Sequence, residues 1–217
     1  MNKRHPQLPP KSPPYAHYIK RPADLLLSLS ALILLAPLLL LIALLLCLVQ
    51  GGNPFFCQAR IGYRGKLFRL IKFRTMNNHC DSEGRLLPDR QRTTRIGSFL
   101  RKSSLDELPE ILNVIRGDMS LIGPRPWIPE QMQCFPLRTR TRRMQLRPGI
   151  SGLAQVLGRN AFTFRQRICC DLYYQRHLSP ATDAWIILQT VGKVLRKDGI
   201  EQNPEALSFT GRNTEAS

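Results

Sequence analysis

From Leu25 to Val49 the chain runs 25 residues without a charge, fifteen of them leucine, and only Ser28 and Ser30 interrupt the apolar pattern. A straight helix of that length reaches ~37 Å at ~1.5 Å per residue, more than the ~30 Å hydrocarbon core of a bilayer. The pattern therefore predicts a membrane segment rather than a buried core helix. A cleaved signal peptide fits badly, because its apolar run is typically ~7–15 residues and ends at a small-residue cleavage site, and none follows Val49. Pro37 stands at the midpoint of the run, where its missing N–H and its ring kink or break a helix. Basic residues flank both ends: Lys3, Arg4, Lys11, Lys20 and Arg21 before the segment, and Arg60, Arg64, Lys66, Arg69, Lys72 and Arg74 after it. The positive-inside rule thus gives no asymmetry and favours both ends on the cytoplasmic face. Two courses stay open on these grounds: a re-entrant helix that bends at Pro37 and returns to the same side, or one kinked span with the N-terminal tail outside.

The remaining residues hold no second apolar run of membrane length, so 53–205 reads as one globular unit between a basic, proline-rich tail (1–19) with its membrane helix (20–52) and a C-terminal tail (206–217). Short strands are predicted over 55–61 and 66–73, joined by the turn Gly62-Tyr63-Arg64-Gly65. Residues 77–89 are polar and read as a loop. Helices are predicted over 94–102 and 105–116, the second because Leu105, Leu108, Leu112 and Ile115 recur on one face. Pro124-Arg125-Pro126 and Pro148-Gly149 interrupt the chain beyond, and 165–176 and 183–196 are further helices. The last carries Trp185, Ile186, Ile187, Leu188, Val191, Val194 and Leu195 on more than one side, which suits a core helix or one lying in a membrane interface.

Charge narrows the partners without choosing one. Thirty-two Lys and Arg against 15 Asp and Glu give a formal charge of +17, so the natural partners are anions: nucleic acid, anionic phospholipid or phosphorylated substrates. The six cysteines show no paired spacing and read as free thiols, and four scattered histidines offer little to a triad or a metal cluster. No glycine-rich phosphate loop is present.

Within this basic background the acids of Ser104-Leu105-Asp106-Glu107-Leu108-Pro109 stand out. A capping box of Ser104 with Glu107 explains them structurally. Read chemically, neighbours on a helix point ~100° apart, so the two carboxylates would take different roles, and a carboxylate can attack phosphorus as a nucleophile beside a divalent ion. Arg125 between two prolines suits forked hydrogen bonding to phosphate, or is a surface arginine in a turn. Arg138, Arg140, Arg142, Arg143 and Arg147 read as a solvated or lipid-facing basic stripe.

Four ordered strings, Lys72-Phe73-Arg74-Thr75-Met76, Ser104 to Pro109, Gly117-Asp118-Met119-Ser120-Leu121-Ile122-Gly123-Pro124-Arg125-Pro126 and Arg147-Pro148-Gly149-Ile150-Ser151-Gly152, resemble the bacterial sugar transferases, the monotopic phosphoglycosyl transferases, in their short form. The resemblance runs from about Lys20 to Gly211. It implies an α+β fold: a re-entrant N-terminal membrane helix and a small, mostly helical cytoplasmic domain with a short β-hairpin and interfacial helices. It implies an enzyme of the bacterial inner membrane that moves a sugar phosphate from a UDP-sugar to polyprenyl phosphate, releasing UMP and beginning a glycan such as a capsule, O-antigen or exopolysaccharide. On the same resemblance Asp106 is the nucleophile that forms a phosphosugar intermediate and meets Mg²⁺, Glu107 assists, and Lys72, Arg101 and Arg125 hold phosphate. The family's membrane break is a Ser-Pro pair where this chain has Ala36-Pro37, and Leu153 stands where tryptophan is usual. The end Phe209-Thr210-Gly211 resembles members acting on N-acetylated amino sugars. Nucleic acid is not an expected partner on this reading, and a homo-oligomer is left open. The rival reading is a membrane-tethered protein that binds nucleic acid or another polyanion through its charge.

Overall fold

The structure, a computed structural model, describes residues 14–158 and 161–196. A wide helical turn at Tyr15–Ile19 leads into α1 (Lys20–Gln50), a helix of 31 residues that contains Pro37 and is long and apolar enough to cross a membrane. Its burial is confined to the two ends. Lys20, Asp24 and Ser28 are buried one turn apart at the start, Ile42 and Leu46 near the finish, and none of residues 29 to 41 is buried. Arg21 donates to the carbonyls of Val114 (2.6 Å) and Ile115 (3.0 Å), while the Gln50 amide donates to the carbonyl of Arg74 (3.1 Å). On a straight helix Arg21 and Gln50 would stand about 43 Å apart. Both ends of α1 dock on the same domain, and Pro37 stands between them in the stretch without a buried residue.

The hairpin follows the sequence pattern closely. β1 (Phe55–Ile61) pairs antiparallel with β2 (Leu67–Phe73), Phe55 opposite Phe73 and Ile61 opposite Leu67, around a tight turn at Tyr63–Gly65. The polar stretch that follows is loop until α2 (Asp89–Arg92), after which α3 (Arg95–Lys102) starts with Thr94 capping the Gly97 N–H. The expected single helix over 105–116 is broken in two. Leu105–Glu107 form one turn of 3₁₀ helix, and α4 (Glu110–Arg116) begins only after Pro109, which has no N–H to extend the earlier turn. Ser104 adopts a left-handed conformation (φ 58°) and caps nothing, so the capping box is not formed.

Asn113 fixes α4 onto the hairpin. Fully buried, it accepts from the Ile71 N–H (3.0 Å) and donates to the Arg69 carbonyl (2.8 Å), using β2's free edge in place of a third strand. Beyond α4 lie β3 (Ser120–Ile122), α5 (Pro129–Gln133), α6 (Leu137–Arg143), β4 (Gly149–Ser151), α7 (Leu153–Leu157), α8 (Phe164–Arg176) and α9 (Pro180–Arg196). The short parallel pair β3 and β4, Ser120 opposite Gly149, was not predicted, because three-residue strands are too short to show a period. The core forms several clusters, among them Phe68, Leu70, Val114 and Met119 between hairpin and α4, and Ile122, Leu153, Val156, Tyr174, Leu178 and Ile186 under α7, α8 and α9. Another joins Ile42 and Leu46 of α1 to Phe73 and Leu100, with Leu105 packed against it. Through Leu105, the membrane helix is packed next to Asp106.

Candidate active site

The hairpin, the 3₁₀ turn and α4 converge on one cleft of about 1030 Å³, also lined by Arg101, Leu121, Arg125, Ser151, Gln155 and, from α9, Thr190 and Val194. Four of the five predicted site residues sit on three separate elements around it: Lys72 on β2, Arg101 on α3, and Asp106 and Glu107 on the turn. Arg125 completes the set from the loop after β3. The remaining one singled out, Pro37, lies on α1 away from the cleft lining.

The two acids are treated differently. Glu107 Oε1 accepts from Lys72 Nζ at 2.6 Å and from Arg125 Nη2 at 2.9 Å. Burial works to raise its pKa, but the Arg125 and Lys72 cations override it and hold the carboxyl well below the ordinary range. Asp106 makes no hydrogen bond or ion pair with a described side chain. Burial raises its pKa and the neighbouring Glu107 charge adds to that, against the opposite pull of Lys72, Arg101 and Arg125. Ser104, immediately before the turn, holds a left-handed backbone conformation. One carboxylate is therefore a fixed anchor for cations, and the other is a desolvated carboxyl, without a hydrogen bond to a described side chain, that lines the cleft.

A third acid joins them. Glu110, at the start of α4, is buried and lies 3.2 Å from Lys72 Nζ. Burial, with the Glu107 charge added, pushes its pKa up to about 7. Sequence reasoning missed it, although its spacing of one helical turn from Asp106 and Glu107 was a signal. Arg101 donates through Nε to Thr75 Oγ1 (2.8 Å), which points the guanidinium into the cleft. α3 can approach Thr75 this closely because residue 97 is glycine; a Cβ there would lie 1.9 Å from the Thr75 carbonyl oxygen.

The basic stripe is corrected in part. Arg143 is not solvated: its Nε–H donates to Asp171 (2.7 Å), both side chains are 4% exposed, and its guanidinium lies 4.1 Å over the Trp127 ring. Arg147 donates to the Gly117 carbonyl (3.0 Å). These arginines fold inward because loop carbonyls need donors that the proline-rich backbone lacks, and because the buried Asp171 carboxylate on a neighbouring helix needs a cation.

Among the described residues no group of three or more His, Cys, Asp or Glu side chains is placed to cage a metal. A hard divalent ion held by one carboxylate and by substrate phosphates needs no such cage, and the unpaired Asp106 fits that mode.

The family model described as "Bacterial sugar transferase" matches residues 15–197. The "Uncharacterized sugar transferase EpsL" of Bacillus subtilis is 46% identical over 165 residues, covering 74% of this chain and 80% of the relative. The "UDP-glucose:undecaprenyl-phosphate glucose-1-phosphate transferase" of Caulobacter vibrioides is 42% identical over 190 residues, 82% of this chain and 70% of the relative. The "Exopolysaccharide production protein ExoY" of Sinorhizobium fredii is 36% identical over 197 residues, 83% of this chain and 87% of the relative.

Proposed function

The chain belongs to the bacterial sugar transferase family, and from that premise we propose that it transfers a sugar 1-phosphate from a UDP-sugar to undecaprenyl phosphate, with a covalent phosphosugar on Asp106 as intermediate. The observation that carries this reading is the contrast between the unengaged Asp106 carboxylate and the doubly ion-paired Glu107 beside it. An Asp106 oxygen attacks the β-phosphorus, the bond from that phosphorus to the oxygen bridging the α-phosphate breaks, and UMP leaves. An oxygen of undecaprenyl phosphate then attacks the same phosphorus, the Asp106–phosphorus bond breaks, and the carboxylate is regenerated.

Lys72, Arg101 and Arg125 face the diphosphate and offset the charge that develops on its oxygens. Glu107 keeps Lys72 and Arg125 from pairing with Asp106, which preserves the nucleophile. Mg²⁺, held by Asp106 and substrate phosphates, would supply charge neutralisation at the reacting phosphoryl group.

The sugar follows from the relatives only as a class. The Caulobacter relative carries glucose in its name and that of Erwinia amylovora galactose, whereas the cue for an N-acetylated amino sugar at Phe209-Thr210-Gly211 lies outside the described residues. Purified enzyme given UDP-glucose, UDP-galactose or UDP-N-acetylglucosamine without acceptor is expected to release one UMP per active chain with one of them, and to carry an acid-labile adduct on Asp106. Asp106→Asn gives neither. UMP release that requires undecaprenyl phosphate, or an adduct on another residue, overturns the covalent route.

The membrane course proposed is re-entrant, in the bacterial cytoplasmic membrane with both ends of α1 on the cytoplasmic side. The docking of Arg21 and Gln50 onto one domain supports it. Single cysteines at positions 11 and 66, in a background without the six natural ones, are both protected from an impermeant reagent outside intact cells; labelling of position 11 alone establishes a full span. The polyanion reading loses weight because Arg60, Arg143 and Arg147 are committed to carbonyls and a buried acid inside the fold. It predicts salt-sensitive binding to generic DNA that Asp106→Asn leaves unchanged.

A further inference from the structure

The loop that presents Arg125 has little means of holding itself. Pro124 and Pro126 have no N–H, so the segment cannot close its own turn hydrogen bonds, and its carbonyls need donors from elsewhere. Four consecutive carbonyls find them. The Gly149 N–H donates to Pro124 (2.9 Å) and the Ile61 N–H to Trp127 (3.0 Å), tying the ends of the loop to β4 and β1. The two central carbonyls are held by arginine side chains: Arg60 Nη1 donates to Pro126 (3.1 Å) and Arg143 Nη2 to Arg125 itself (2.5 Å).

Arg143 is built for that task more rigidly than Arg60. Its Nε–H is fixed by Asp171 on α8 (2.7 Å), its guanidinium carbon lies 4.1 Å over the Trp127 ring, and pair and ring are all buried. Three constraints leave the guanidinium one orientation, with Nη2 on the Arg125 carbonyl. The Arg125 side chain leaves the same residue in the direction of Glu107, which its Nη2 reaches at 2.9 Å. A buried arginine on α6 thus sets the backbone from which the phosphate-facing guanidinium springs.

We propose that Arg143, held by Asp171 and Trp127, is a positioning residue that aims Arg125 at the reacting diphosphate. It touches neither Asp106 nor Glu107. The proposal rests on the reading of the cleft as a UDP-sugar site, and it deepens that reading by adding a support behind the phosphate contacts. Lysine cannot substitute, because an ammonium has no planar fork with which to serve Asp171 and the Arg125 carbonyl together while stacking on an indole.

The test is a double-mutant cycle of Arg143→Lys with Arg125→Ala, read by UMP release and by thermal unfolding of the full-length chain in detergent. Arg143→Lys is expected to lower kcat/KM about tenfold in the wild-type background and less than twofold in the Arg125→Ala background, since no guanidinium remains to be aimed. An equal loss in both backgrounds, or no loss in the first, overturns it. Should wild-type protein release no UMP from any UDP-sugar, the functional reading fails, and unfolding still decides the positioning claim. The Tm shift caused by Arg125→Ala is then expected to be smaller in the Arg143→Lys background, and additive shifts overturn it. If Arg143→Lys does not fold, Asp171→Asn, which retains an acceptor for the Arg143 Nε–H, carries the same cycle.

Discussion

Replacing Glu107 with glutamine removes one negative charge and keeps the shape, and its effect on the two cations can be worked from the contacts. Lys72 loses a 2.6 Å charged partner but keeps Glu110 at 3.2 Å, while Arg125, 44% exposed, loses a partner that solvent already screens. Exchanging a charge-assisted bond for a neutral acceptor costs about 1 kcal/mol at Lys72, and the screened pair with Arg125 adds about 0.5 kcal/mol. Part of this is returned, because Glu110 no longer faces a like charge. A net loss of roughly 1 kcal/mol lowers Tm by about 2–4 °C in a domain of this size. The kinetic loss is larger. With Glu107 neutral, Lys72 and Arg125 are free to pair with Asp106, and the like charge that helped raise the Asp106 pKa is gone. Both changes lower the nucleophilicity of its carboxylate, so kcat for UMP release falls roughly ten- to hundredfold, the equivalent of about 1.4–2.7 kcal/mol. Asp106 attacks only when ionised, so the acidic limb of the rate profile moves to lower pH in the variant. Single-turnover UMP release across pH, beside thermal unfolding, reads both effects. An unchanged acidic limb, or a fall in Tm large enough to account for the lost activity, refutes the division of labour between the two acids.

Two further predictions follow from neighbouring contacts. Glu110 has its pKa raised to about 7 in the folded chain from an ordinary value near 4.5, so its contribution to stability is fully present below about pH 4.5 and is lost as pH rises through about 7; Glu110→Gln flattens unfolding midpoints between pH 5 and 7.5, and a dependence identical to wild type refutes this. Gly97→Ala drives a Cβ to 1.9 Å from the Thr75 carbonyl oxygen and forces α3 away, with an overpacking cost of about 1–3 kcal/mol; since Arg101 is held by Thr75 Oγ1, the folded fraction shows a raised KM for UDP-sugar, and an unchanged KM with unchanged Tm counts against it.

What the sequence made legible, and what it hid, divides by the range of the interaction. The apolar N-terminal helix, the hairpin and the last two helices were readable because each is set by a local period or by a long apolar run, whereas the short α5, α6 and α7 were not predicted. The break between Glu107 and Glu110 was obscured because Leu105, Leu108, Leu112 and Ile115 keep a helical period straight through it, while the left-handed Ser104 and Pro109 decide the backbone. Among site residues, Asp106, Glu107, Lys72 and Arg125 were found within ordered motifs and Arg101 through the resemblance those motifs carry, and the structure brings all five to one cleft. Arg143 was hidden for a different reason. Four arginines alternate over 138–143, and nothing in their spacing says which one meets Asp171, 28 residues away on another helix.

The polar ends of α1 show why a membrane helix and a reaction centre can be one unit. Lys20 Nζ lies 2.5 Å from Asp183, which also accepts from Tyr15 and Tyr174, and Asp24 accepts from Ser120 and from the Leu121 N–H. Leu121 lines the cleft, and the Tyr174 hydroxyl also lies 3.3 Å from the carbonyl of Ile122, two residues before the Pro124 to Trp127 loop. The far end of α1 packs Ile42 and Leu46 against Phe73 and Leu100, with Leu105 alongside. Each end of the helix is thus packed against a separate wall of the cleft, one beside the Arg125 loop and the other beside Asp106. Buried polar bonds at the first end fix a single register for the helix, because a slip of one residue would strand Lys20 and Asp24 without partners. At the second end apolar packing dominates, with the Gln50 amide donating to the Arg74 carbonyl as its polar tie to the domain.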